Sequence, residues 1–322
     1  MLSKEEILRE IQNTLLETDF SRYFGNRQQG KVRDWYKRGN ERIIIVTDRI
    51  SAFDKILGTI PFKGQVLNQI AAFWFEKTRH IAPNHVIFVP DPNVMIVREC
   101  KQLPIEIVVR GYITGVTKTS LWYNYERGVR VYCGHKLPEG LRKDQKLDTP
   151  IVTPTTKLEE HDRPVSRDEI IKEGLVDADT FDRAAEICLK LYDFGVKFAE
   201  TRGLILVDTK YELGIDSSGN LVVTDEIHTP DSSRYWYLDT YEDLFRQGKE
   251  QRKIDKEFVR EWYVKQGYRG EGVPPKMSED VIVEASLRYI EVFEKITGEH
   301  FVASFGNLIS RIESNLRRYG YL

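Results

Sequence analysis

The stretch Leu204-Ile205-Leu206-Val207-Asp208-Thr209-Lys210-Tyr211-Glu212-Leu213 alternates with a period of two, the pattern of a β-strand. One face carries Ile205, Val207, Thr209, Tyr211 and Leu213, and the other carries Leu206, Asp208, Lys210 and Glu212. Asp216-Ser217-Ser218-Gly219-Asn220 has turn chemistry, so a return strand over 221–224 delivers Asp225 and Glu226 beside the first. The expected unit is a hairpin with a charged face, followed by Pro230-Asp231-Ser232-Ser233-Arg234, whose hydroxyls and guanidinium suit a phosphate. Oxygen ligands of this kind suit Mg2+, which takes one or two carboxylates and fills its shell with water and substrate phosphates. The pattern alone leaves two readings open: a metal and phosphate site, or an exposed ladder of cross-strand ion pairs.

Outward from this hairpin, helix and strand signals are mixed rather than regularly alternating, which predicts an α+β fold. Upstream, Ser166 with Glu169 forms a capping box, and the stripe Ala184, Ile187, Cys188, Leu191, Phe194 and Phe198 predicts a helix that Gly203 ends. Further back, strands are expected over 42–46, 86–89, 94–98 and 105–110. An amphipathic helix is expected over 64–80 and a short one over 120–127. In the 105–110 strand Glu106 and Arg110 share a face, so Arg110 could pair with Glu106 alone. The charged, proline-bearing stretch 136–164 reads as a linker or a substrate loop. Beyond Arg234 the chain reads as mainly helical, with helices over 279–297 and 302–318. Gln29 to Asp34 joins Gly30 to the cations Lys31 and Arg33, a loop suited to covering phosphates or forming an ordinary basic hairpin.

Composition narrows the function. The chain has 322 residues, 41% of them hydrophobic, enough for a sizeable core and for two domains or one domain with additions. Its 48 basic and 50 acidic residues nearly cancel, so no broad positive field points to nucleic acid or to a membrane surface. Apolar runs fall far below the roughly 20 residues that span a bilayer, and no signal-peptide core follows the capping box of Ser3 and Glu6. A cytoplasmic protein is expected. Cys100, Cys133 and Cys188 fit neither a disulfide framework nor paired zinc ligands.

Taken in chain order, Gly30-Lys31-Val32-Arg33-Asp34, Thr47-Asp48-Arg49-Ile50-Ser51-Ala52-Phe53-Asp54, Leu103 to Gly115, Asp208 to Gly214, Asp225-Glu226 and Pro230 to Arg234 resemble the SAICAR synthetase family. The resemblance implies a two-lobed, ATP-grasp or kinase-like architecture with mainly antiparallel sheets. Residues 1–103 would form a β-rich nucleotide lobe, 104–250 an α/β lobe with the metal and substrate sites, and 251–322 helices packing back on both.

It also implies ATP-dependent ligation of L-aspartate to carboxyaminoimidazole ribotide, in purine biosynthesis, through an acyl phosphate. By resemblance, Glu212 and Asp225 bind Mg2+. Gly30, Lys31, Val32 and Arg33 approach the ATP phosphates, Glu106 the ribose and the Cys100–Leu103 connection the adenine. Asp208 and Lys210 stand at the reacting imidazole, as catalytic residues. Arg110, Ser233 and Arg234 bind the ribotide phosphate, and Asp48, Arg49, Ser51, Lys157, His161, Asp162 and Asp231 complete the substrate contacts.

Val116 stands where the family commonly has serine, so Thr114 or Thr117 is expected to supply the missing hydroxyl. No general base is evident, and the oligomeric state is open. Two alternatives remain: an ATP-dependent small-molecule kinase or ligase of similar fold, and a non-catalytic nucleotide-binding protein.

Overall fold

The computed structural model describes residues 2–53, 55–157, 162–254 and 256–322. Within them, every ladder between strands is antiparallel. A five-stranded sheet runs in the order Gln28–Gln29, Arg33–Arg38, Glu41–Val46, Val94–Arg98 and Val86–Asp91. The hairpin of Arg33–Arg38 and Glu41–Val46 turns at Gly39, which takes the left-handed conformation open to glycine. A seven-stranded sheet is built on the long central strand Leu204–Ile215.

The expected hairpin exists, but it is only the outer end of that strand. Leu221–Thr224 pairs with Glu212 to Ile215 alone. Asp208 and Lys210 are instead flanked by Ile105–Ile113 on one side and by Ser233–Tyr237 on the other, with Asp208 opposite both Arg110 and Arg234. Asp208 is only 5% exposed, which removes the open ion-pair ladder as a reading. Several strands differ from the sequence expectation, among them the paired Arg49–Ala52 and Lys55–Thr59 and two strands of the larger sheet. Ser233–Tyr237 is a strand where the sequence suggests a phosphate turn running into helix. Gln145–Val152 lay inside the presumed loop; it is an outer strand with a register shift between Lys146 and Ile151, where Pro150 costs no ladder bond.

Helix Lys63–Lys77 buries Val66, Leu67, Ile70 and Trp74, and helix Ala178–Glu200 covers the central strand. They meet through Trp74 and Phe198, ring centroids 5.1 Å apart. Each such buried side chain contributes roughly 1.5–3 kcal/mol relative to exposure. Tyr192 fixes the helix to the strand by donating to the Leu206 and Val207 carbonyls, at 2.8 and 2.9 Å. Both expected capping boxes form, at Ser3 and Ser166. Helix Glu279–Thr297 ends at Gly298 as expected, whereas the last helix, Leu308–Arg318, begins later than the pattern suggests because Asn307 caps it. No helix of the described residues is long and apolar enough to cross a membrane. The three cysteines form no disulfide.

Candidate active site

The polar face of the central strand opens into two adjoining cavities, one of about 660 Å³ and one of about 160 Å³, and Lys210, Asp231, Ser232, Lys256 and Arg260 line both. In the larger one, Gly30, Lys31, Val32 and Arg33 form one wall. The loop is tight: the Gly30 amide donates to the Arg33 carbonyl at 2.7 Å. Trp35, Ile44, His85 and Val97 add a more apolar wall, with the Arg42 guanidinium 3.9 Å from the Trp35 ring centroid. From the Cys100–Leu103 connection, Gln102 reaches this cavity, as does Glu106.

The floor is a dense charge network. Arg33 bridges Asp225 at 2.8 Å and Glu226 at 2.6 Å. Lys210 reaches Glu106 at 2.6 Å and Glu212 at 3.4 Å, while Lys157 also pairs with Glu212. Burial opposes charge on Lys210, but the carboxylates of Glu106 and Asp225 outweigh it and raise its pKa. Burial likewise opposes charge on Asp225, and Arg33, Lys210 and Lys157 prevail and lower its pKa. Lys157 differs, since burial leaves its pKa below the usual lysine value. Arg110 does not pair with Glu106; it takes Asp208 at 3.5 Å, Thr153 Oγ1 at 2.7 Å and the Thr119 carbonyl at 3.0 Å.

Arg110, Thr117, Ser120, Asp208, Ser233 and Arg234 face the smaller cavity. Arg234 reaches Asp208 at 2.5 Å, and Ser233 donates to Thr209 Oγ1 at 2.8 Å. Two guanidiniums beside hydroxyls make a chemistry suited to a phosphate monoester. Gly115 is required here, because a Cβ would overlap Ser120 and press on Arg234. Of the two threonines expected to offset Val116, Thr117 faces the cavity, whereas Thr114 is buried and donates to Asp144 at 2.5 Å.

Other expected substrate residues fall in different places. Ser51, Asp162 and Asp231 line the larger cavity. Asp231 is also a structural node, taking Lys63 at 2.9 Å and Tyr289 at 2.6 Å, with Lys256 at 3.7 Å. Asp48 and Arg49 are fully buried and line neither cavity. Asp48 accepts from the Leu15 and Gly64 amides, and Arg49 donates to the Leu16, Gly30 and Lys31 carbonyls. His161 lies outside the described residues.

Sequence reasoning missed the cavity-lining His85, Trp35, Lys256 and Arg260. For the last pair a signal existed, since cations four apart at the start of the helix Glu257–Lys265 share one face. Among the described residues no group of three or more His, Cys, Asp or Glu side chains forms a preformed metal cage.

A family model described as SAICAR synthetase matches residues 26–276, which takes in both cavity walls and the central strand. The chain belongs to the SAICAR synthetase family. A relative from Legionella pneumophila (strain Paris), phosphoribosylaminoimidazole-succinocarboxamide synthase, is 51% identical over 306 residues, covering 94% of this chain and 98% of the relative. The structure of the Saccharomyces cerevisiae SAICAR synthase complexed with SAICAR superposes with a TM-score of 0.78 at 31% identity, covering 90% of this chain and 100% of that one. A SAICAR synthetase solved in complex with ADP gives a TM-score of 0.66 at 25% identity, covering 86% of this chain and all of that one. The SAICAR synthetase match thus extends across both cavities rather than over one motif.

Proposed function

We propose that this chain joins L-aspartate to the carboxylate of carboxyaminoimidazole ribotide at the expense of ATP, giving SAICAR, ADP and phosphate. One observation carries the reading: a single strand face places Asp208, Lys210 and Glu212 in a row, leading from the guanidinium-lined cavity into the larger one. Ribotide phosphate in the first and nucleotide in the second would put the γ-phosphoryl group and the ribotide carboxylate near Lys210.

A carboxylate resists amine attack because its leaving group would be oxide. Attack of the ribotide carboxylate oxygen on the γ-phosphorus releases ADP and leaves an acyl phosphate. The aspartate amine then displaces phosphate and forms the amide. Positioning and charge neutralisation account for such chemistry. Lys210 would offset charge on the transferring group, and Arg110 with Arg234 would fix the ribotide.

The donor set fits Mg2+, since Glu212 and Asp225 supply two carboxylates on the nucleotide cavity and substrate phosphates would complete the shell. When bound, the ion would offset negative charge on the phosphates. Lys256 and Arg260, which face both cavities, are the cations available for the aspartate carboxylates.

On this reading the sheets form two lobes around the nucleotide, in an ATP-grasp or kinase-like manner. Residues 1–103 supply one lobe, 104–250 the other, and 251–322 pack back on both. Monitoring ADP release tests the assignment. Release that requires both aspartate and the ribotide supports the ligase, whereas aspartate-independent release makes the chain a kinase.

A further inference from the structure

His228 lies behind the cleft floor, fully buried, three residues after Asp225. Its Nε2 is 2.5 Å from the hydroxyl of Tyr211, which alternates with Lys210 and Glu212 and so points to the opposite side of the central strand. The Trp74 ring stands edge-on to the imidazole, with centroids 4.7 Å apart. Gly195 leaves the room the ring needs, because a Cβ there would overlap it.

The pair carries two polar hydrogens, the phenolic O–H and one imidazole N–H, yet makes one hydrogen bond. Nδ1 has no partner among the described residues, so either tautomer strands one buried donor. An apolar pair of similar shape would fill the space without that penalty, so packing alone does not explain these side chains. The backbone supplies the reason. Asp225 and His228 both adopt left-handed conformations, φ 61° and 51°, which non-glycine residues reach only under constraint. Tyr235 completes the constraint by donating to the His228 carbonyl at 2.8 Å.

We propose that Tyr211 and His228 are positioning residues that hold the strained 225–228 segment, and with it Asp225 and Glu226, in place for the metal and nucleotide phosphates. The inference rests on the nucleotide reading above. Ser233 and Arg234 have a second anchor, ladder pairing with Asp208 and Thr209, besides the bond from the Ser233 amide to the Thr229 carbonyl at 2.9 Å. Loss of the pair should therefore act far more on nucleotide than on ribotide.

Calorimetric titration of Tyr211→Phe, His228→Leu and the double variant with Mg–ADP, and separately with SAICAR, tests this. Each single variant is expected to weaken Mg–ADP binding about tenfold, with SAICAR affinity within about twofold of wild type. The double variant should be no worse than the worse single one, because both changes remove one interaction. Unchanged Mg–ADP affinity in Tyr211→Phe and the double variant, or equal losses for both ligands, would overturn the proposal. Wild-type protein that bound no Mg–ADP would instead overturn the nucleotide reading beneath it.

Discussion

Asp34 and Arg49 form an ion pair of 2.8 Å in which neither side chain reaches solvent. The rest of the Arg49 fork is spent on the Leu16, Gly30 and Lys31 carbonyls, so one guanidinium holds the loop that walls the larger cavity, the one proposed for the nucleotide. Arg49→Lys keeps the charge but cannot serve three carbonyls and a carboxylate from one ammonium. The KM for ATP should rise more than the KM for ribotide. Arg49→Met leaves the buried Asp34 carboxylate with the Thr18 amide and hydroxyl and, at 3.8 Å, Arg27, and should cost about 3 kcal/mol in denaturant unfolding. An Arg49→Lys enzyme with an unchanged KM for ATP would show that the loop holds itself.

Glu212 contacts Lys157 and Lys210 at the centre of the floor without being a core residue. Glu212→Gln keeps the shape and removes the charge that a cation needs. Mg2+-dependent turnover should fall by about 10²-fold or more, while the melting temperature moves by only a few degrees. Near-normal turnover would falsify the metal assignment.

The two threonines near Val116 separate cleanly. Thr117 faces the smaller cavity, so Thr117→Val should raise the ribotide KM about tenfold through loss of a charge-assisted hydrogen bond. Thr114 donates to the buried Asp144 carboxyl, whose pKa burial raises. Thr114→Val should instead lower stability by about 1–3 kcal/mol with little change in ribotide KM. Steady-state kinetics beside thermal melts on both variants check this, and the reverse pattern would reassign the phosphate contact to Thr114.

These placements show where sequence reading carries and where it stops. The face of Asp208, Lys210 and Glu212 was legible because strand alternation is local. Their neighbours were not, because Arg110 lies 98 residues and Lys157 55 residues away in the chain. Asp48 and Arg49 looked like ligand contacts because polar strand ends often are. They turn inward because the Leu15 and Gly64 amides and the Leu16, Gly30 and Lys31 carbonyls need partners there. The 145–152 strand was hidden by Asp148 and Pro150, which an outer strand tolerates. Lys256, just before the helix Glu257–Lys265, and Arg260 within it are signalled only by their spacing of four, which does not say what they face.

Burial also sets how the fold responds to acid. It holds His85 and His228 near pKa 3, against an ordinary 6.5. Between those values the unfolded chain takes up protons that the folded chain does not. Their contribution to stability is fully present above pH 6.5 and is lost as pH falls toward 3. Asp48 acts in the opposite sense. Burial raises its carboxyl from 3.8 to about 6, so over that window the folded chain binds the extra proton and stability falls as pH rises. At about 1.4 kcal/mol per pH unit for each group, two histidines outweigh one aspartate. Asp225 and Asp231, whose pKa values nearby cations lower despite burial, extend the loss at more acid pH. The melting temperature should therefore be higher at pH 7 than at pH 4.5, and His85→Gln should flatten the decline by about one of the two histidine contributions. A profile that is flat over this range, or a His85→Gln profile as steep as wild type, would mean that these imidazoles titrate normally in the folded chain.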